Sequence, residues 1–308
     1  VNSENSASGL ILLDKAAGVT SCNALFPIRK IFQTRRVGHA GSLDMRASGL
    51  IVAAVGRATR LLPFVEAAEK TYSFVAHFGY STQTDEWDGA LVHQDPDTSP
   101  ISTEQVQCIL PQFIGEIEQI PPDYSAVKLN GHRASDLKRK GRQVELKARK
   151  IFIRHLNLDG VAEAPDGVSG RVRSSYRFTC DCSKGTYIRS LVRDMANALG
   201  TFGAVSGIRR LRIGHLSIEQ AVLPENLNAG SLLKPQDCMK FPVVELTDRQ
   251  VVALRNGRLI TWNGSEIVLE KDAPNMILAV GRDGELKAGC SFENGKLAPK
   301  FYLGSDDA

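Results

Sequence analysis

Apolar and polar positions repeat with two different periods along the chain, and the periods place its elements. Gly9-Leu10-Ile11-Leu12-Leu13-Asp14-Lys15 is a short apolar run with a charged end and reads as a strand. Thr20 or Ser21 can cap a helix to about Thr34, with Leu25, Ile28 and Phe32 roughly on one face. Pro27 inside that span makes the helix start late or kink. Residues 50–55 form a buried strand, being β-branched, short and closed by Gly56. Residues 58–68 read as a helix. The period then drops to two: Tyr72, Phe74, Ala76 and Phe78 give a strand over 70–79 with one aromatic face. A polar turn covers 81–89. Val106, Ile109, Leu110 and Phe113 mark an amphipathic helix over 102–113, and Pro121-Pro122 stiffens an extended stretch over 120–128.

Residues 151–158 and 176–181 read as strands around a loop at 159–169. Gly185 permits a turn into a helix that runs to Leu199, with Ser183 and Thr186 as cap candidates. A boundary falls near 234–242. Beyond it, Asn256-Gly257, Asn263-Gly264, Asp283-Gly284 and Asn294-Gly295 punctuate short strands, so a small β-rich domain ends at about Leu303.

Composition narrows the class. The chain has 308 residues, 43% hydrophobic and 23% charged, as in an ordinary globular protein. No apolar run approaches the roughly 18 residues that span a bilayer. Residues 1–8 are polar, carry no basic-then-apolar signal pattern and read as a disordered tail. The six cysteines are scattered, and Cys180-Asp181-Cys182 alternates like a strand rather than forming a C-x-x-C metal site. The expectation is a cytoplasmic protein with reduced thiols, no metal and no membrane association. Net charge is only +4, but residues 128–150 hold nine Lys/Arg against two acids. Such a stretch is either the electrostatic footprint for a phosphate backbone or a solvated helix face.

The candidate chemistry lies in Gly38-His39-Ala40-Gly41-Ser42-Leu43-Asp44-Met45-Arg46-Ala47-Ser48-Gly49-Leu50. Asp44 sits on a glycine-rich loop that enters the apolar run at 50–55. A carboxylate there either caps its own turn or serves chemistry. The pattern Gly-His-x-Gly-Ser-Leu-Asp, followed by Ala-Ser-Gly-Leu, resembles the catalytic motif of TruB-type pseudouridine synthases. Met45 stands where that family usually has Pro, and Ala40 where it usually has Thr. Further segments resemble the same family. They are Asp14-Lys15, Lys70-x-Tyr72, Pro121-Pro122-x-Tyr124-Ser125-Ala126-x-Lys128, Lys184-Gly185-Thr186-Tyr187-Ile188-Arg189-Ser190-Leu191, and the Arg209-Arg210 segment. Ala16 replaces the usual Pro, Gln83 the usual Asp, and Ser135 an aromatic residue. The resemblance is dense from about Gly9 to Gly214 and thins beyond.

The resemblance implies that one uridine of the tRNA T-loop, U55, becomes pseudouridine. Asp44 would be the nucleophile. Arg189 would pair with it and favour its charged form. Tyr72 and Tyr187 would sandwich or edge the flipped base, Ile208 would wall it, and His39 would fill or brace the space it leaves. No cofactor is required, because nothing is oxidised and no group comes from solvent. Read alone, Tyr72 and Ile208 are core residues and Arg189 a surface arginine. The implied fold is α+β: a mixed, largely antiparallel sheet with flanking helices, plus a C-terminal PUA-like module. The implied division is a catalytic domain over 9–238, a basic insertion over 128–150 that grips the T-arm, and an RNA-binding domain over 239–304. The C-terminal stretch 241–308 has eight Lys/Arg against ten Asp/Glu, so a broad basic face does not drive its RNA contact. The implied partner is tRNA alone, bound by a monomer with no protein partner. Two alternatives remain at this stage: an RNA-binding or RNA-folding protein with weakened chemistry, and a guide-dependent relative acting on ribosomal RNA. Asp44, Tyr72, Tyr187 and Arg189 all being present weighs against the first. The basic insertion and the short C-terminal stretch weigh against the second.

Overall fold

The computed structural model describes residues 7–129, 131–264, 267–269 and 275–304. Residues 1–6 of the expected tail lie outside the described residues. Ser8 is held on the domain, accepting a hydrogen bond from Ala58 N at 3.0 Å.

The first apolar run is strand β1 (Gly9–Lys15). The single helix expected to 34 is instead two short ones, α1 (Ser21–Ala24) and α2 (Phe26–Ile31). Thr20 caps α1, its Oγ1 accepting from Asn23 N at 3.2 Å. Pro27 has no amide to donate back, so the chain breaks at Leu25 and restarts with Pro in the first turn. Strands β2 (Val37–Ala40) and β3 (Ser48–Val55) flank the glycine-rich loop. The helix expected over 58–68 is a 3₁₀ turn at Gly56–Leu61 followed by α3 (Leu62–Ala67), which starts at Leu62-Pro63.

Strand β4 (Lys70–Phe78) carries the aromatic face as expected. The hairpin β5 (Tyr80–Thr82) and β6 (Leu91–Gln94) follows it. Helix α4 (Thr103–Ile109) opens on a reciprocal box of Ser102 and Gln105, and β7 (Gly115–Gln119) leads to the Pro-Pro segment. The insertion holds β8 (Lys128–Leu129), β9 (His132–Arg133) and α5 (Ala134–Arg139). Then come β10 (Arg149–Val161), β11 (Ser174–Cys182), helix α6 (Ile188–Ala198), β12 (Gly203–Ile213) and β13 (Leu216–Ser217).

Among the described residues these strands form a nine-stranded sheet in the order β1-β3-β12-β4-β11-β10-β7, with β2 on β3 and β13 on β12. All neighbours are antiparallel except β3 and β12, which run parallel where Ser48 and Gly49 meet Arg209 and Arg210. One face packs Phe74, Phe78, Tyr176 and Phe178 against Leu191 and Met195 of α6. At the other end, β1 and β3 are covered on both sides. Leu10, Leu12, Leu50 and Val52 meet one apolar layer, and Ile11, Leu13, Ala53 and Val55 meet another with Leu25 and Ile28. Burial on both faces is why those two strands read as unbroken apolar runs while β4 alternates.

After α7 (Pro235–Cys238) a second sheet forms from β14 (Val243–Leu246), β15 (Ile260–Thr261), β16 (Ile277–Gly281), β17 (Leu286–Glu293) and β18 (Lys296–Tyr302). The module is β-rich as expected, but helix α8 (Asp248–Arg255) stands where the sequence predicts only short strands and turns. Its Thr247-x-x-Gln250 capping box is legible in the sequence, and Asn256-Gly257 closes the helix rather than a hairpin. Asp283-Gly284 and Asn294-Gly295 do turn β16 into β17 and β17 into β18. The turn expected at Asn263-Gly264 runs into residues 265–266, which lie outside the described residues. The module has its own core of Val244, Leu246, Leu254, Ile277 and Leu297. Met239, Leu278 and Leu303 join the layer over β1 and β3, and Phe64 meets the rings of Phe241 and Phe301 at 6.2 and 6.0 Å. Among the described residues no helix is long and apolar enough to cross a membrane.

Candidate active site

The loop between β2 and β3 is tied down at alternate residues by three separate elements. Arg210 of β12, itself buried, donates from Nη2 to Gly41 O at 2.9 Å and from Nε to Leu50 O at 2.8 Å. Ser21 at the start of α1 clamps Leu43, accepting from its amide at 2.8 Å and donating to its carbonyl at 3.0 Å. Lys15 at the end of β1 donates to Val19 O at 2.6 Å and Met45 O at 3.4 Å, and Gly18 N donates to Met45 O at 2.8 Å. The Met45 side chain is exposed, but its carbonyl is held, so the loop keeps its path without the usual Pro. Gly49 is required where the loop enters β3. Its φ is +104°, and a Cβ there would lie 2.3 Å from Arg210 O.

With its neighbours fixed, Asp44 presents its carboxylate to α6. Arg189 Nε donates to Asp44 Oδ2 at 2.8 Å, while Nη1 reaches Thr84 O at 3.0 Å and Nη2 reaches Tyr124 O at 2.9 Å. The arginine side chain is 4% exposed and the aspartate 43%. Arg189 is therefore a buried cation with three fixed acceptors, and Asp44 is the one that faces the opening. The carbonyls come from the Thr82-Gln83-Thr84 turn and the Pro121-Pro122-x-Tyr124 segment. That gives two distant motifs one physical task, and backbone carbonyls do it whatever side chain stands at Gln83. The start of α6 departs from the cap expectation. Neither Ser183 nor Thr186 caps it; Tyr187 stands at the cap position without a side-chain cap bond. Thr186 Oγ1 donates to Ser183 O at 3.0 Å instead.

A cleft of about 690 Å³ opens over Asp44, walled by Tyr72, Tyr187, Ile208, Ile151 and Leu43 and edged by Lys70, Arg149, Lys150 and Lys184. Burial pushes the Tyr72 phenol up, against the pull of Arg210 beside it. Burial likewise raises Tyr187, opposed by Arg149. Both rings thus stay neutral phenols at physiological pH, able to donate a hydrogen bond. Burial drives Lys15 and Lys70 down to about 8. The arrangement offers a carboxylate at the floor of an aromatic slot with a basic rim. It suits a flat, neutral ring carried on a phosphate backbone.

Of the residues expected at the site, Asp44, Tyr72, Tyr187, Ile208 and Arg189 line this one cleft. His39 does not. It lies on β2, with Nδ1 buried and without a hydrogen-bond partner among the described residues, and burial and the Arg210 charge lower its pKa. The insertion roots flank the opening through Ala126, Arg149 and Lys150. Lys15, Lys70 and Arg210 lie inside the family-like motifs, and only the structure shows what they do. A cation at the edge or inside of an apolar strand is the signal that finds them, because a buried charge must be holding something.

Known proteins resemble the chain along most of its length. A family model, TruB family pseudouridylate synthase (N terminal domain), matches residues 29–188. The chain is 36% identical to tRNA pseudouridine synthase B of Caulobacter vibrioides, over 96% of each chain. It is 38% identical to the protein of the same name from Caulobacter sp. (strain K31), over 82% of this chain and 81% of that one. The fold is also that of a chain in a solved structure of an H/ACA RNP bound to a substrate RNA containing 2′-deoxyuridine, with TM-score 0.65 and 21% identity. That match covers 97% of this chain and 86% of the other. The chain belongs to the TruB family of pseudouridylate synthases.

Proposed function

We propose that the chain isomerises U55 in the T-loop of tRNA to pseudouridine, with Asp44 as nucleophile on a flipped-out base. The observation that carries the reading is the Asp44 carboxylate held 2.8 Å from Arg189 Nε at the floor of a cleft walled by Tyr72, Tyr187 and Ile208. Relatives named tRNA pseudouridine synthase B, at 33–38% identity, support tRNA as the substrate.

In the reaction the C1′–N1 bond breaks, the base turns, and C5 bonds to C1′; C5 gives up its hydrogen as a proton and N1 gains one. A carboxylate suits the nucleophile because it can attach and leave. Extruding the base costs a few kcal/mol of stacking. The rings of Tyr72 and Tyr187 and the Ile208 side chain offset that cost by enclosing it, and His39, on β2 outside the cleft lining, is assigned to fill or brace the space the base leaves. Arg149, Lys150 and the insertion over 128–150 meet the T-arm phosphates. The catalytic domain spans 9–238, and the module over 239–304 is a PUA-like RNA contact.

The test is tritium release from a tRNA transcript labelled at C5 of uridine, for the native chain and Asp44→Asn, with the modified site then mapped. Release by the native chain alone, mapping to U55, supports the reading. Equal release by Asp44→Asn removes Asp44 as nucleophile. Release from neither, with tight tRNA binding, favours a binding protein.

A further inference from the structure

We infer that Gln119 is a positioning residue for the isomerisation, acting through Tyr187 and Arg189; this rests on the reading of Asp44 as nucleophile. Gln119 ends β7 and is 2% exposed. Its Cα partner across the sheet is Arg149, the first residue of β10. The chain therefore leaves the sheet and rejoins it at a single rung, and everything over 120–148, the Pro-Pro segment and the basic insertion, is one long excursion from that rung.

At its base the Gln119 amide grips the start of α6 from both sides. Oε1 accepts from Tyr187 N at 2.8 Å, and Nε2 donates to Tyr187 O at 3.2 Å. Tyr187 is the cap position of α6 and has no side-chain cap of its own, so Gln119 satisfies an amide that the helix leaves open. The grip continues along the excursion. Ile120 O accepts from Ser190 Oγ at 2.8 Å and from Arg193 Nη2 at 2.7 Å, and Tyr124 O accepts from Arg189. Of these holds, the one on Tyr187 sets the angle at which two neighbours enter the cleft, the Tyr187 ring and, two residues on, the Arg189 guanidinium. Gln119 does not line the cleft, so it acts by placing those groups and not by touching the base. A shift of about 1 Å in such a group can cost on the order of a hundredfold in rate.

Two substitutions test this in the full chain. Gln119→Met keeps the volume and loses both bonds. Gln119→Glu keeps an acceptor for Tyr187 N and sets a carboxylate against Tyr187 O, a clash that protonation turns into a donated bond. Tritium release at saturating tRNA gives kcat, and tRNA Kd and the melting temperature are measured beside it. For Gln119→Met the expected result is a kcat about ten- to hundredfold lower with Kd within about threefold. For Gln119→Glu, the rate relative to the native chain rises as pH falls from about 8 to 6, since burial raises a carboxyl into that range. A native kcat in Gln119→Met overturns the inference and leaves Asp44 untouched. So does a joint fall of kcat, affinity and melting temperature with a flat Gln119→Glu ratio, which marks a role in folding alone. No release by the native chain overturns this inference and the proposed function together.

Discussion

Replacing Arg189 by Lys keeps the charge and removes the geometry. The guanidinium spreads its donors over three acceptors, Asp44 Oδ2, Thr84 O and Tyr124 O, at 2.8, 3.0 and 2.9 Å. An ammonium is a point and can serve one of them well. Hydrogen bonds from a charged donor contribute roughly 1.5–3 kcal/mol each, so losing two costs about 3–6 kcal/mol before relaxation. Thr84 and Tyr124 are half-buried, and water reaching their carbonyls reduces the net loss to about 2–4 kcal/mol. For a chain of this size that lowers the melting temperature by roughly 3–6 °C. Asp44→Asn should differ sharply. Asp44 is 43% exposed and its amide replacement still accepts from Arg189, so the melting temperature should move by less than about 2 °C while turnover is lost. The assay pairs thermal melts with single-turnover tritium release at excess enzyme. Arg189→Lys should lower the single-turnover rate at least about a hundredfold, because the carboxylate loses its fixed direction. An Arg189→Lys chain that melts within about 1 °C of the native one and reacts within about threefold of its rate would refute the claim that this arginine builds the site.

Gly49→Ala should fail to accumulate as folded protein, since a Cβ 2.3 Å from Arg210 O forces β3 away from β12 and φ +104° strains the alanine as well; soluble yield and circular dichroism report it. His77 is buried between Ser175 Oγ and Ser206 Oγ, both at 2.7 Å, and burial lowers its pKa to about 4. Between that value and the unfolded 6.5 the unfolded chain binds the extra proton, so stability falls as pH drops through the window, by up to about 1.4 kcal/mol per unit. Urea titrations of His77→Gln should show a shallower acid slope than the native chain, and parallel slopes would contradict this. Lys15 and Lys70 titrate near 8 when folded and near 10.5 when unfolded. In that window the unfolded chain again holds more protons, so stability should rise with pH there, and the rise should shrink in Lys15→Met/Lys70→Met.

The candidate site was legible because its chemistry sits in contiguous motifs. Asp44, Tyr72, Tyr187, Arg189 and Ile208 each fall in a short segment that carries the family pattern, and the fold brings the segments to one cleft. The errors came where local signals compete. Pro27 split its helix, as its place in that span implied, but the Leu62-Pro63 start of α3 broke a helix whose apolar spacing ran on unbroken, because a missing amide overrides periodicity. Helix α8 was hidden by Asn-Gly pairs, which end helices as readily as they turn hairpins.

The sequence by itself determined five strands of the main sheet (β1, β3, β4, β10 and β11), the loop that carries Asp44, the aromatic face of β4 and the family to which these belong, whereas β2, β7, β12 and β13 emerged only in the fold. What it determined is set within a few residues, by period, glycine and motif spacing. Tertiary structure alone decided what fixes each group in place. That Arg189 spends two of its donors on carbonyls 65 and 105 residues away is not encoded in any segment. Nor is the hold of Arg210 on Gly41 across 169 residues, or that of Gln119 on Tyr187 across 68. Backbone carbonyls and amides are the same at every residue. Which of them meets a buried side chain depends on how the sheet and α6 pack, and only the assembled fold supplies that.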